Sequence, residues 1–134
     1  MPGALLDTNA VSDLMRDHSK VTARVAKHSG PIVTSVIVAG EIRYGLARMP
    51  VGKKRADLEA RAGTILAALP MKFITPRVAE IYGNLKASLE AKGLNVDDND
   101  LWIAATTIHY GTVIVTRDQI FPQIPGLQVE DWSV

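Results

Sequence analysis

The chain has 134 residues, 47% of them hydrophobic and 22% charged, which predicts one globular domain over residues 1–134 and excludes a disordered protein. The formal net charge of +1 neither demands nor excludes nucleic acid, so any basic surface must be local. There is no cysteine, which excludes disulfides and thiolate metal sites. No apolar run reaches the roughly 20 residues of a membrane helix, and no basic segment precedes the first apolar residues. We therefore expect a cytoplasmic protein without a membrane anchor or signal peptide.

Short apolar runs alternate along the chain with segments of helical spacing. The runs that end at turn-forming residues predict strands at 4–6, 32–34, 71–74, 112–116 and 127–129. Apolar residues three or four apart predict helices at 10–15, 19–28, 36–46, 53–69, 76–92 and 101–108. The expected helix N-caps are Thr8 or Asn9, Ser19, Ser35 and Thr75. Because strands alternate with helices, we expect an α/β fold with four to five short, mostly parallel strands between two helical layers.

Four acids occupy matching positions in this predicted topology. Asp7 and Asp118 follow apolar strands almost directly, whereas Glu41 and Asp100 lie near the starts of helices. In a parallel sheet, strand ends and the starts of the following helices share one edge, so the four side chains could enter one crevice. Clustered carboxylates repel each other and would bind protons unless a cation joined them. Their oxygen atoms suit Mg²⁺ or Mn²⁺, which can activate water for attack on a phosphate.

Each acid also has a purely structural explanation. Asp7 and Asp118 could form turns, Glu41 could lie on an exposed stripe, and acids at 97–100 favour the start of a helix. Within that acidic cluster, Asp100 opens the apolar run that follows and is the preferred candidate, with Asp98 as the alternative. Polar residues near the predicted crevice could orient carboxylates or water, or only cap helices. These supporting candidates are Thr8, Asn9, Ser35 and Thr116.

Basic residues concentrate between the third and fourth predicted helices. They are ordinarily a solvated face, but they could also contact a phosphate backbone. The candidates for this nucleic-acid contact are Arg43, Arg48, Lys53 and Lys54, together with Arg117 beside the last acid. Two other readings of the acids stay open: an aspartyl-phosphate at Asp7, or a non-catalytic surface that docks basic residues of a partner. The aspartyl-phosphate reading is weakened by Asn9, since haloacid dehalogenases carry an acid at that spacing.

The motifs, in this order, resemble the PIN-domain family, and most closely its VapC-type toxins. The resemblance rests on Leu5-Leu6-Asp7-Thr8-Asn9, Gly40-Glu41-Ile42-Arg43-Tyr44-Gly45, Asp100-Leu101-Trp102-Ile103-Ala104-Ala105 and Val115-Thr116-Arg117-Asp118. It implies a PIN-like α/β/α sandwich and endonucleolytic, Mg²⁺- or Mn²⁺-dependent cleavage of RNA. The family's acids then fall on Asp7, Glu41, Asp100 and Asp118, although Asp118 could act without direct coordination.

The same resemblance implies partners. It indicates a homodimer inhibited by a VapB-type antitoxin, with a heterotetramer or larger complex between them. A PIN-type nuclease that processes RNA outside a toxin–antitoxin module is the alternative. Which RNA would be cut does not follow from the sequence, because single-stranded RNA is selected by groove shape and a few contacts.

Overall fold

The computed structural model describes residues 3–134, and its centre is a five-stranded parallel sheet. The strands are β1 (Ala4–Leu6), β2 (Ile32–Ser35), β3 (Met71–Lys72), β4 (Val113–Val115) and β5 (Val129–Glu130). Their order across the sheet is β3-β2-β1-β4-β5, and every neighbouring pair is parallel. This confirms the predicted α/β architecture and the expected number of strands.

Six α-helices and one short 3₁₀ helix, Phe121–Gln123, connect the strands. The α-helices are α1 (Thr8–Met15), α2 (Ser19–Lys27), α3 (Val36–Ala47), α4 (Lys53–Ala68), α5 (Pro76–Ala91) and α6 (Asp98–Tyr110). Packing divides them into two groups: α1 contacts α2, α3 and α4, whereas α5 packs mainly against α6. Right-handed crossovers in this strand order place the two groups on opposite faces of the sheet. Among residues 3–134, none of these helices combines the length and the apolarity needed to cross a bilayer.

The central strand β1 is the most completely buried part of the sheet. Ala4, Leu5 and Leu6 are all 0% exposed, because helices cover both faces and strands lie on both sides. This explains why the sequence shows a continuous apolar run here instead of alternation. Burial of each leucine side chain contributes about 2 kcal/mol to folding.

The strand order reverses between β1 and β4, which makes this pair the topological switch point of the sheet. From β1 the chain proceeds through β2 to β3 on one side, and from β4 to β5 on the other. Open α/β sheets bind ligands at such a point, outside the carboxyl ends of the strands. The residues that follow β1 and β4 are Asp7 and Thr116, so the fold itself singles out this crevice.

Several predicted boundaries were wrong by one or a few residues. The N-cap of α1 is Asp7 and not Thr8 or Asn9, since the Asp7 carboxylate accepts a hydrogen bond from the Ala10 amide. The N-cap of α2 is His18 and not Ser19, because the imidazole accepts from the Val21 amide. Strand β3 stops at Lys72, before the predicted residue 74, and β5 occupies 129–130 instead of 127–129. Ser35 and Thr75 cap α3 and α5 as predicted.

Candidate active site

Asp7 lies at the carboxyl end of β1 and is almost fully buried, with 3% of its surface exposed. Its backbone amide donates to the Val115 carbonyl of β4 at 3.1 Å, which fixes it at the switch point. Its Oδ1 accepts from the Ala10 amide at 2.9 Å, so the carboxylate also caps α1. Burial raises the pKa of Asp7 to about 6, against hydrogen bonds from Thr116 and Ala10 that lower it. A carboxylate is thus held where its charge is poorly solvated.

The Thr116 hydroxyl connects Asp7 to Asp118. It hydrogen-bonds the Asp7 carboxyl group and accepts from the Asp118 backbone amide at 2.9 Å. The Asp118 carboxylate turns back on the chain, where Oδ1 accepts from the Ile120 amide at 3.0 Å. The negative charge of Asp118 also raises the pKa of Asp7. Thr116 therefore holds the acids that follow β1 and β4 next to each other.

Asp100, in the first turn of α6, lies in the shared electric field of the other candidate acids. Its pKa is raised to about 6, first by burial and then by the charges of Asp118, Glu41, Asp97 and Asp7. Asn99, the residue before Asp100, donates to Glu41, and Thr116 bonds both to the Asp7 carboxyl group and to the Asp118 backbone. The structure therefore brings Asp7, Glu41, Asp100 and Asp118 together, from four separate segments of the chain.

Glu41 lies on α3 and is fixed by residues of two other helices. Its Oε1 accepts from the Thr8 hydroxyl of α1 at 2.5 Å, and its Oε2 accepts from the Asn99 amide of α6 at 3.5 Å. Val38, Ile42 and Leu46 form the buried face of α3, so Glu41 occupies the side of the helix that faces the crevice. Asn99 was missed by the sequence analysis, although its position one residue before Asp100 was a signal.

The other supporting candidates have distinct places. Thr8 and Thr116 bond directly to candidate acids, as described above. Ser35 is buried and its hydroxyl accepts from the Val38 amide at 3.1 Å, so it caps α3 and contacts none of the acids by hydrogen bond. Asn9 lines the groove that runs from Glu41 between α1 and α3. Two of the four candidates thus hold acids, one caps a helix, and one lines the adjoining surface.

Asp98 belongs to a different environment from Asp100. Its Oδ1 accepts from the Tyr82 hydroxyl at 2.7 Å and from Lys86 at 2.9 Å, and these bonds lower its pKa. The Tyr82 ring stacks on Trp102 with centroids 3.8 Å apart, which holds the cluster on the outer face of α5 and α6. Asp97 is the acid that the sequence analysis did not single out, and its charge does reach Asp100.

The basic candidates have different partners. Arg117 donates to Asp13 at 2.6 Å, so its guanidinium is bound beside the crevice, while its charge lowers the pKa of Asp7. Arg48 lies over the Tyr44 ring at 5.0 Å and lines the groove next to Glu41. Lys53, at the start of α4, pairs with Asp57 at 2.9 Å. Arg43 and Lys54 are exposed.

The donor chemistry of the site fits a hard divalent cation. Carboxylates, hydroxyls and amide oxygens are the ligands that Mg²⁺ and Mn²⁺ prefer, and they are the groups gathered here. Within residues 3–134, however, no group of three or more acidic or histidine side chains has the arrangement needed to hold a metal ion. Protein hydrogen bonds occupy an oxygen of Asp7, Glu41 and Asp118, and these side chains would have to turn to share a cation.

Comparison with known proteins decides the family. The sequence matches the model of the PIN domain over residues 4–127, which is most of the chain. The chain belongs to the PIN domain family. Among curated relatives of this PIN domain, the VapC ribonuclease Y4jK of Sinorhizobium fredii is 30% identical over 131 residues, covering 93% of this chain and 94% of the relative. The plasmid stability protein StbB of Pseudomonas syringae is 33% identical over 134 residues, with coverage of 93% and 94%.

Solved structures agree with this assignment. VapBC2 from Rickettsia felis, bound to a DNA fragment from its promoter, contains a chain that is 28% identical and superposes with a TM-score of 0.87, covering 97% of this PIN domain and 98% of that chain. The coverage shows that the similarity extends over nearly the whole fold.

Proposed function

We propose that this PIN domain is the ribonuclease toxin of a toxin–antitoxin pair and an endoribonuclease that depends on Mg²⁺ or Mn²⁺. The observation that carries the proposal is a set of hydrogen bonds: Thr116 bonds to Asp7 and to the Asp118 backbone at the switch point, and Glu41 accepts from Asn99, the neighbour of Asp100. Relatives named VapC ribonuclease and structural neighbours described as VapBC complexes support the toxin assignment. The partners would be an RNA substrate, a second copy of the chain and a VapB-type antitoxin, all in the cytoplasm.

Asp7, Glu41, Asp100 and Asp118 are the residues that would hold the cation. When bound, Mg²⁺ or Mn²⁺ supplies positive charge that orients the phosphate, stabilises the developing negative charge and lowers the pKa of an attacking water. Asp7 is fixed by the end of β1 and the cap of α1, which places one carboxylate with little freedom to move. Thr8 and Asn99 hold Glu41 on the opposite wall of the crevice.

Burial of the carboxylates has a direct consequence for binding. The neutral forms of Asp7 and Asp100 are favoured by poor solvation and by neighbouring negative charge, so each carboxylate has an unmet need for positive charge. A divalent cation would offset both the poor solvation of the carboxylates and their mutual repulsion, so cation affinity should depend on the whole cluster and not on a single acid. Thr116 contributes by keeping Asp7 and Asp118 at a fixed separation.

Asp7→Asn tests the proposal most simply. Asparagine caps helices about as well as aspartate, so α1 should form normally while the negative charge is lost. We expect the native protein to cut RNA with Mg²⁺ or Mn²⁺ and not with EDTA, and Asp7→Asn to have no detectable activity. Asp17→Asn, at an exposed acid in the turn that follows α1, is the matched control and should cut normally. Undiminished cleavage by Asp7→Asn, or cleavage in EDTA, would contradict the proposed chemistry.

The toxin assignment is tested separately. Expression of the native chain should arrest growth, and co-expression of the small protein encoded beside it should restore growth and co-purify with the chain. Nuclease activity without growth arrest, and without a co-purifying partner, would instead indicate a PIN-type nuclease that acts outside a toxin–antitoxin module.

A further inference from the structure

Tyr44 is a large aromatic residue that contributes nothing to the core. Its side chain is on α3, 65% exposed, although the same helix buries Val38, Ile42 and Leu46 on its other side. It follows Glu41 by three residues, so the two lie one turn apart on the same face of the helix. Both line one groove of about 940 Å³, which also includes Thr8 and Asn99. An exposed aromatic ring thus stands one turn from a candidate acid.

The charges around Tyr44 are mainly positive. The Arg48 guanidinium lies 5.0 Å from the centroid of the Tyr44 ring, which stabilises both side chains on the groove wall. Arg16, whose guanidinium donates to the Ser12 hydroxyl, lies on the α1 side of the groove. Glu41 is the acid that lines the same groove in the described part of the chain, and it lies at the crevice end. Apart from Glu41, the groove therefore presents an exposed aromatic ring beside Arg48 and a second cation, Arg16, on the α1 side.

We propose that Tyr44 is a stacking platform for an unpaired base of the RNA, adjacent to the phosphate that reaches the four acids. Arg48 and Arg16 then contact the flanking phosphates. Proteins that recognise single-stranded RNA stack splayed bases on aromatic rings beside cations, and this arrangement has both parts. The inference rests on the proposed nuclease function, and it assigns a residue that influences which nucleotides lie next to the cleaved bond.

A second exposed aromatic residue provides a matched control. Phe73 is 61% exposed, close to the value for Tyr44, but it follows β3 at the edge of the sheet and does not line the groove. Truncating either ring to alanine removes a similar exposed surface. A difference in RNA binding between Tyr44→Ala and Phe73→Ala would therefore report the location of the ring and not its loss alone.

The affinity for RNA can be measured without cleavage in the Asp7→Asn background. Fluorescence anisotropy with a labelled single-stranded oligoribonucleotide should show Tyr44→Ala binding about tenfold more weakly, as expected for the loss of one stacked base. Tyr44→Phe and Tyr44→Trp retain an aromatic face and should bind within about twofold of the parent, as should Phe73→Ala. Equal affinity of Tyr44→Ala and its parent would overturn the proposal.

Abasic substitution tests the stacked base itself. Each nucleotide of the oligoribonucleotide is replaced in turn by an abasic one, and binding is measured for the parent and for Tyr44→Ala. At one position the penalty of Tyr44→Ala should disappear, because the base that the ring contacts is already missing. A penalty that persists at every position would contradict stacking and indicate that the ring acts only on the shape of the protein.

The outcomes separate this inference from the proposed function. If the native chain cuts no RNA and the Asp7→Asn chain binds none, the nuclease proposal fails and the inference fails with it. If RNA binding and cleavage are normal but Tyr44→Ala has no effect on them, the inference alone is wrong. If Tyr44→Ala weakens only the complex with the protein encoded beside this chain, the groove is a protein-binding site and the proposed stacking is excluded.

Discussion

Asp98 and Asp100 are two residues apart in the same helical turn and lie in opposite environments. Asp98 bonds to Tyr82 and Lys86 on the outer face of the protein, and its pKa is lowered. Asp100 is partly buried and is exposed to the negative charges of other acids, and both effects raise its pKa, to about 6. Asp98 already has a positive partner in Lys86, whereas the charges that act on Asp100 are negative, so we expect Asp100 and not Asp98 to take up a cation.

The same contrast holds across the molecule. Asp17 pairs with Arg61 at 2.6 Å and Asp57 with Lys53 at 2.9 Å, both on exposed surfaces. In the crevice, the nearby Arg117 donates to Asp13 and so cannot neutralise all of the acids.

The largest expected difference in RNA cleavage is between variants that each remove the negative charge of one of the two α6 acids. Asp100→Asn removes a carboxylate from the crevice and should reduce RNA cleavage on the order of 1,000-fold, since it removes part of the charge that holds a cation. Asp98→Asn should leave cleavage within about twofold of native, because surface ion pairs are worth little. Cleavage rates of the two variants under identical metal concentrations check this. Similar losses in both would show that the contrast between the acids is unimportant.

The next effect concerns stability against pH without added metal. The pKa of Asp7 is raised from 3.8 to about 6 in the folded state, so the folded chain binds the proton more tightly than the unfolded chain. The stabilising contribution of the protonated group is therefore complete below pH 3.8 and is lost as the pH rises through about 6, with a change of about 3 kcal/mol. Asp7→Asn should flatten the unfolding free energy over that range. If the unfolding free energy of the native chain varied with pH as little as that of Asp7→Asn, the raised pKa of Asp7 would be contradicted.

A smaller effect is expected from the ion pair beside the crevice. Arg117→Met leaves the Asp13 carboxylate, which is 9% exposed, without its partner and should reduce the unfolding free energy by about 2 kcal/mol. Arg61→Met breaks a pair of equal length to an exposed aspartate and should cost less than about 1 kcal/mol. Urea unfolding of both variants checks the order, and equal losses would show that burial of Asp13 is irrelevant.

The smallest effect should follow Lys53→Met. This substitution breaks a largely exposed pair with Asp57 on α4, so we expect a barely measurable loss of unfolding free energy, checked by urea unfolding, and unchanged cleavage. A large loss of RNA cleavage would show instead that Lys53 contacts the substrate, as one reading of the basic cluster suggested.

Much of this molecule could be predicted from its sequence because burial leaves a clear pattern. The apolar runs before Asp7 and Asp118 predict strands, and parallel topology then predicts that the acids after them meet. The cap of α1 was predicted one or two residues late, since aspartate, threonine and asparagine all make good caps and local propensity cannot choose among them. Strand ends at β3 and β5 depend on pairing partners far away in sequence.

The environment of individual side chains was harder to predict. In α3, apolar residues surround Glu41 on nearly every side, so their spacing does not show which face is open, and the exposure of Tyr44 could not be predicted. The choice between Asp98 and Asp100 depends on Tyr82 and Lys86, which lie on another helix. Asn99 and Asp97 were missed for the same reason, because their contacts are made across elements.

The most direct test of the central claim is the position of Mn²⁺ in a crystal of the native chain soaked with the metal. Anomalous diffraction should show a peak in the crevice with oxygen atoms of Asp7 and Asp100 at ligand distance and Glu41 or Asp118 completing the shell. A crystal that takes up Mn²⁺ only elsewhere, or leaves these carboxylates in their present hydrogen bonds at saturating metal, would contradict the account.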